Sequence, residues 1–170
     1  MKQTKMPAAP PTIGVIADTH GLLRVEAVEA LKGSHLILHA GDVGKPQVLD
    51  ALRELAPVHA VRGNVDRGAW AADLPVREVL TVETQVLCML HILEDLEVDP
   101  VTAGFSVVIF GHTHQPKIEQ RGGVLYFNPG SAGPRRFKLP VTIGRLRFAG
   151  GKPRAQLVRL DGEEDLTGDR

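Results

Sequence analysis

Seven residues stand out by type and spacing: Asp18, His20, Asp42, Asn64, His91, His112 and His114. They fall in short polar groups, each behind an apolar run: Asp18-Thr19-His20, Gly41-Asp42, Gly63-Asn64, His91 and Gly111-His112-Thr113-His114. Together they offer two carboxylates, one amide oxygen and four imidazoles, without a thiolate. Imidazole suits zinc, iron, nickel and copper, whereas carboxylate and amide oxygens suit manganese and magnesium. Seven donors exceed what one catalytic ion with an open position needs. They suffice for two ions if one carboxylate bridges, and paired ions about 3.5–4 Å apart suit in-line phosphoryl displacement.

Such groups need elements to bring them together. Residues 12–17 form a short apolar, β-rich run, and residues 22–31 carry apolar side chains at helical spacing up to Gly33. A second apolar run at 35–40 leads into Gly41-Asp42, a helix with Pro46 in its first turn covers 46–55, and a third strand at 58–61 ends at Gly63-Asn64. Strand–helix–strand–helix–strand implies parallel strands with right-handed crossovers. The pattern then changes. Adjacent strands are expected at 77–84 and 85–91, a weak helix broken by Pro100 at 93–103, and strands at 106–110 and 124–127. A hairpin of 142–149 and 154–160 turns at Gly150-Gly151-Lys152-Pro153. The fold class is α/β, with two mixed β-sheets packed face to face and flanked by helices. Ligands in open α/β sheets gather outside the carboxyl ends of strands. Here five strand ends supply all seven donors.

Size and composition narrow the function. A chain of 170 residues suits one domain, expected over 12–160, with a disordered arm at 1–11 and an acidic tail at 161–170. Lys plus Arg equals Asp plus Glu at 20 each, so the chain lacks the basic balance that binding long nucleic acid requires. Cys88, the one cysteine, lies in an apolar run and is expected to be a buried core residue. The proline-rich start is not a signal peptide, and no stretch reaches the roughly 20 apolar residues that span a bilayer. A cytoplasmic protein without membrane contact is expected. Exposed strand edges allow a homodimer.

The ordered motifs, with Asn128-Pro129-Gly130-Ser131, resemble those of the calcineurin-like metallophosphoesterases. The resemblance spans residues 12–160 and is strongest to the small bacterial and archaeal phosphodiesterases, a branch that includes the retromer scaffold subunit. It implies that Asp18, His20, Asp42 and His114 hold a first ion, and that Asp42, shared, joins Asn64, His91 and His112 around a second. It also implies a metal-bridging hydroxide as nucleophile, Asn64 as a phosphate contact, and Mn2+ as cofactor, with Ni2+, Zn2+, Fe2+ or Mg2+ as substitutes. Two departures are visible. Val65 stands where many relatives have a histidine that protonates the leaving group, and Ile92 stands where relatives usually have glycine after the His91 ligand.

Other polar residues have plainer readings. His39 points away from Asp42 along its strand and supports the ligand loops or simply packs in the core. Asp66 is expected to hold loop backbone near Asn64, and the Asn128–Ser131 turn to pack beneath the metal loops. Arg67 is a weak candidate for a substrate phosphate, Trp70 a loop anchor, and His35 and His59 ordinary strand-edge residues. The sequence therefore predicts a phosphodiesterase acting on a small phosphate ester. The alternatives are a non-catalytic protein-binding scaffold of the same fold and, disfavoured by the neutral charge, a nuclease.

Overall fold

Strands β1 (Ile13–Ile16), β2 (Leu36–His39) and β3 (Val58–Ala60) lie parallel and are joined by helices α1 (Val25–Leu31) and α2 (Pro46–Arg53). The computed structural model describes residues 11–162 and 166–167, so all of the expected arm except Pro11 lies outside the described residues. The hairpin β9 (Thr142–Ala149) and β10 (Lys152–Arg159) completes the first sheet by pairing β9 antiparallel to β1. The second sheet runs in the order β4 (Arg77–Val82), β5 (Gln85–Leu90), β6 (Val107–Ile109), β8 (Val124–Asn128), β7 (Lys117–Arg121), and its three central strands are parallel.

The side-chain period of two decides what lies between the sheets. Ile13 and Val15 face inward with Leu38, Leu87, Met89, Val107, Ile109 and Phe127, forming one buried cluster between the sheets. Ile16 and Ile37, from the opposite face, pack against Ala27 and Leu31 of α1 and Val48, Leu49 and Leu52 of α2. Each such side chain contributes about 1.5–3 kcal/mol when fully buried, enough to fix the strand ends that carry the polar groups. The sheets meet so closely that a Cβ on Gly144 would lie 2.3 Å from Phe127 Cζ, so that glycine is required for packing. A third cluster, Leu90, Val108, Phe110 and Val124, covers the outer face of the second sheet with Leu93, Leu96 and Phe105. The two-sheet α/β architecture is as expected.

Four local expectations differ. Helix α1 begins at Val25, not at residue 22, because Leu22 N–H turns back to the Thr19 carbonyl at 2.9 Å. The expected helix at 93–103 is a 3-10 turn (Leu93–Asp95) and a separate helix α4 (Pro100–Ala103). Asp99 restarts the chain as helix by accepting from Val101 N–H at 3.3 Å, and Pro100 suits the first turn. Strand β7 and the short helix α3 (Ala69–Ala72) were not expected. Finally, the acidic tail is not wholly free of structure: β11 (Leu166–Thr167) pairs with Gln156 and Leu157 at the edge of the first sheet.

Candidate metal centre

The carboxyl ends of β1, β2 and β3 in one sheet, and of β5 and β6 in the other, open on the same edge. There the structure brings all seven residues together. Two groups have ligand atoms within 4.8 Å of one another: Asp18, His20 and His114, and Asp42, His91 and His112. The groups touch: Asp42 Oδ2 of the second lies 3.7 Å from His20 Nε2 of the first, and His91 Nε2 of the second lies 3.8 Å from Asp18 Oδ1 of the first. Asn64 joins the second group with its Oδ1 3.2 Å from His112 Nδ1.

The backbone is bent to achieve this. Among the described residues seven non-glycines have positive φ, and five of them are Asp18, His20, Asp42, His112 and His114, at 48–74°. A left-handed conformation costs a non-glycine residue roughly 1 kcal/mol or more. Hydrogen bonds between loops hold it: Asp18 N–H donates to the Gly41 carbonyl at 3.0 Å, His20 N–H to the Asp42 carbonyl at 2.9 Å, and His112 N–H to Asp18 Oδ2 at 3.1 Å. Gly63 permits a close approach to Asp42. A Cβ there would stand 2.1 Å from both Asp42 N and Asp42 Oδ1.

Supporting side chains complete the frame. Gly41 N–H donates to His39 Nδ1 at 3.1 Å, so His39 carries its proton on Nε2 and donates it to Thr19 Oγ1 at 3.0 Å. Thr19 in turn donates to the Val43 carbonyl at 2.8 Å. His39 is fully buried, and both of its ring nitrogens bond to the loops that carry Asp18 and Asp42. Burial pushes its pKa down to about 3, so it stays neutral. Asn128 donates to the Gly111 carbonyl at 3.1 Å, and Ser131 Oγ donates to the Asp18 carbonyl at 3.1 Å, so this turn lies beneath the two loops as expected.

Asp66 accepts from three backbone N–H groups, those of Gly63 (2.8 Å), Gly44 (2.9 Å) and Val43 (3.2 Å). Orphaning buried donors costs about 1–3 kcal/mol each. Asp66→Ala is therefore expected to destabilise the chain by roughly 3 kcal/mol in denaturant unfolding. A change near zero would mean that the carboxylate is not what holds this loop.

Electrostatics distinguish the ligands from ordinary polar residues. Asp18 Oδ1, His91 Nε2 and His114 Nδ1 are buried and make no hydrogen bond among the described residues. Burial, reinforced by the charge of Asp42, raises Asp18 to about 7 despite the opposing pull of His91. Burial also acts on Asp42 and His91 but is outweighed. Asp42 is lowered by His91 and the Val65 N–H, and His91 is raised by Asp42 and Asp18. His20 and His114 are lowered by burial, His114 to about 4 with the added positive charge of Arg136. An unsatisfied Asp18 Oδ1 and His91 Nε2, with the neutral imidazoles of His20 and His114 around buried carboxylates, fit a cation. Either carboxylate has one oxygen to share. Asp18 Oδ1 lies 3.4 Å from His114 Nε2 and 3.8 Å from His91 Nε2, and Asp42 Oδ2 lies 3.7 Å from His20 Nε2.

The chain matches the calcineurin-like phosphoesterase superfamily domain over residues 12–151. It belongs to that superfamily. A probable metallophosphoesterase of Methanothermobacter thermautotrophicus is 36% identical over 159 residues, covering 86% of this chain and 91% of the relative. Phosphodiesterase YfcE of Escherichia coli is 32% identical over 155 residues, covering 76% and 84%. Among solved structures, Vps29 of Chaetomium thermophilum aligns with a TM-score of 0.76 over 88% of each chain at 19% identity, a likeness of fold alone. A metallophosphoesterase-family hydrolase is what the motifs implied.

The remaining residues divide. Arg67 is exposed and makes no ion pair or side-chain hydrogen bond among the described residues, whereas Arg136, which the sequence reading passed over, is the cation whose charge bears on Asp18, His20 and His114. Its only sequence signal is its place just beyond the Asn128–Ser131 turn. Trp70 packs with Leu74 against the α1–α2 cluster and anchors its loop, while His59 pairs with Glu78 and His35 accepts from Thr12 N–H. Cys88 is buried, as expected, and burial raises its thiol pKa. No described helix is long and apolar enough to cross a membrane.

Proposed function

We propose that this chain is a phosphodiesterase that works with two divalent cations, Mn2+ foremost, on a small phosphate ester. The observation that carries the reading is the pair of touching ligand groups with buried, unsatisfied acceptors at one sheet edge. Asp18, His20 and His114 would hold one cation and Asn64, His91 and His112 the other, with Asp42 shared. Two bound divalent cations supply activation of water for in-line attack and neutralise charge on the phosphoryl group.

The side chains have their own parts. His91 Nδ1 donates to the Ala40 carbonyl at 2.8 Å, which fixes its ring and aims Nε2 at the carboxylates. Asn64 is exposed, and with Oδ1 turned to His112 its amide nitrogen is left to donate to a phosphoryl oxygen. Arg136 adds positive charge on the His20–His114 side, where a phosphate anion would gather. His20 and His114 are neutral near pH 7 and ready to ligate. Asp18, raised to about 7, retains a proton that a cation must displace, so cation uptake should strengthen as pH rises through about 7. The scaffold alternative rests on likeness of fold alone.

Removing metal tests this reading. Metal-free protein is expected to be inactive towards bis(p-nitrophenyl) phosphate, and Mn2+ to restore hydrolysis. Full turnover in excess chelator, with metal loss verified by elemental analysis, would refute it.

A further inference from the structure

A hollow of about 650 Å3 opens beside the second ligand group, running from Asn64 and His91 past Ile92 to Arg62 and Arg77. Its size lies within the range of small-molecule sites. The two arginines arrive there by separate routes. Arg62 follows β3, two residues before Asn64, and Arg77 opens β4 opposite Leu90, the residue before His91. The Arg62 N–H donates to the Pro75 carbonyl at 2.8 Å, which ties the two segments together.

Neither guanidinium makes an ion pair or side-chain hydrogen bond among the described residues, although Glu94, Asp95 and Glu97 line the same hollow. Those three acids are exposed, on the 3-10 turn and just beyond it, whereas Arg62 is half-buried next to the ligand loop. Two cations without carboxylate partners line the hollow together with Asn64, and the three exposed acids of the 93–97 segment line it as well. Arginine presents a planar fork that matches carboxylate and phosphate oxygens. The exposed acids disfavour a long polyanion.

We propose that this hollow is the alcohol subsite, and that Arg62 and Arg77 select small phosphodiesters whose second alcohol carries its own carboxylate or phosphate. The proposal rests on the phosphodiesterase reading above. Ile92, in place of the glycine usual in relatives, then becomes an apolar floor for the carbon chain between the two anions.

The test uses Mn2+-loaded protein and four p-nitrophenyl phosphodiesters that all release p-nitrophenol. Their second alcohols are methyl, 2-carboxyethyl, 2-phosphoethyl and 2-aminoethyl. One charge-assisted hydrogen bond to an anion corresponds to about 10- to 100-fold, so kcat/KM for the carboxyethyl or phosphoethyl ester should exceed that for the methyl ester by this much. Which of the two anionic esters leads identifies the anion. Arg77→Ala and the shape-retaining Arg77→Gln, at an exposed position, should each lower that ratio about tenfold within the same preparation. Equal kcat/KM for the methyl and both anionic esters, or a preference for the aminoethyl ester, overturns the subsite while leaving the phosphodiesterase reading intact. An unchanged ratio in both Arg77 variants also overturns it. Absence of turnover on all four overturns both.

Discussion

Asp42→Ala is expected to lower turnover by at least about 10²-fold and to leave fewer than two cations on each chain. Asp42 sits where the two ligand groups meet. Its Oδ2 lies 3.1 Å from His91 Nε2 and 3.7 Å from His20 Nε2, while its Oδ1 accepts the Val65 N–H at 3.0 Å. On the proposed dinuclear reading, alanine would remove the shared ligand and a negative charge from both cations, and it strips the Val65 N–H of its acceptor. Asp42→Asn separates these effects, because the amide retains an acceptor for Val65 but not the charge. Asp18 also reaches both groups, so the matching Asp18→Ala variant is needed. Loss of affinity at both positions in Asp42→Ala, but at one in Asp18→Ala, identifies Asp42 as the shared ligand. Two cations and a near-normal rate in Asp42→Ala would show that assignment to be wrong.

The second large effect concerns the leaving group. Val65 occupies the place that a histidine acid holds in many members of the wider superfamily the motifs resemble, and the residue is 43% exposed beside the site. A hydrocarbon cannot protonate the departing oxygen. Positioned general acids contribute about 10²–10⁴-fold, so the rate should fall steeply as the leaving-group pKa rises. Aryl phosphodiesters are expected to react far faster than alkyl ones. A series of substituted phenyl and alkyl esters, measured where chemistry limits the rate, gives the slope. Val65→His should flatten it if the new imidazole faces the substrate. A flat slope in the unaltered protein would mean that another group supplies the proton.

The strength of these expectations tracks how local each signal was. The first three strands and two helices could be read because apolar periodicity and Pro46 mark them directly. The convergence of the seven donors could be read because each follows a strand, and parallel strands bring their carboxyl ends to one edge. Strand β7 was missed because Lys117-Ile118-Glu119-Gln120-Arg121 carries a single apolar residue, as an edge strand does. Its signal lay in Gly122-Gly123, a hairpin turn before Val124. The split of the 93–103 segment depended on one cap, Asp99, outweighing a weak helical pattern.

Roles that depend on packing across the sheets were harder to see. The His39–Thr19–Val43 relay joins residues far apart in sequence, and only the folded β1–β2 pairing reveals which ring nitrogen carries the proton. Arg136, Arg62 and Arg77 are similar cases. An arginine in a loop carries no period, and its target is set by which loops the two sheets bring together.

The most direct test of the central claim is anomalous diffraction from crystals grown with Mn2+. Two peaks are predicted at the shared sheet edge, one against Asp18, His20 and His114, the other against Asn64, His91 and His112, with Asp42 touching both. A single peak, or peaks that leave either histidine group without a cation, would contradict the dinuclear account.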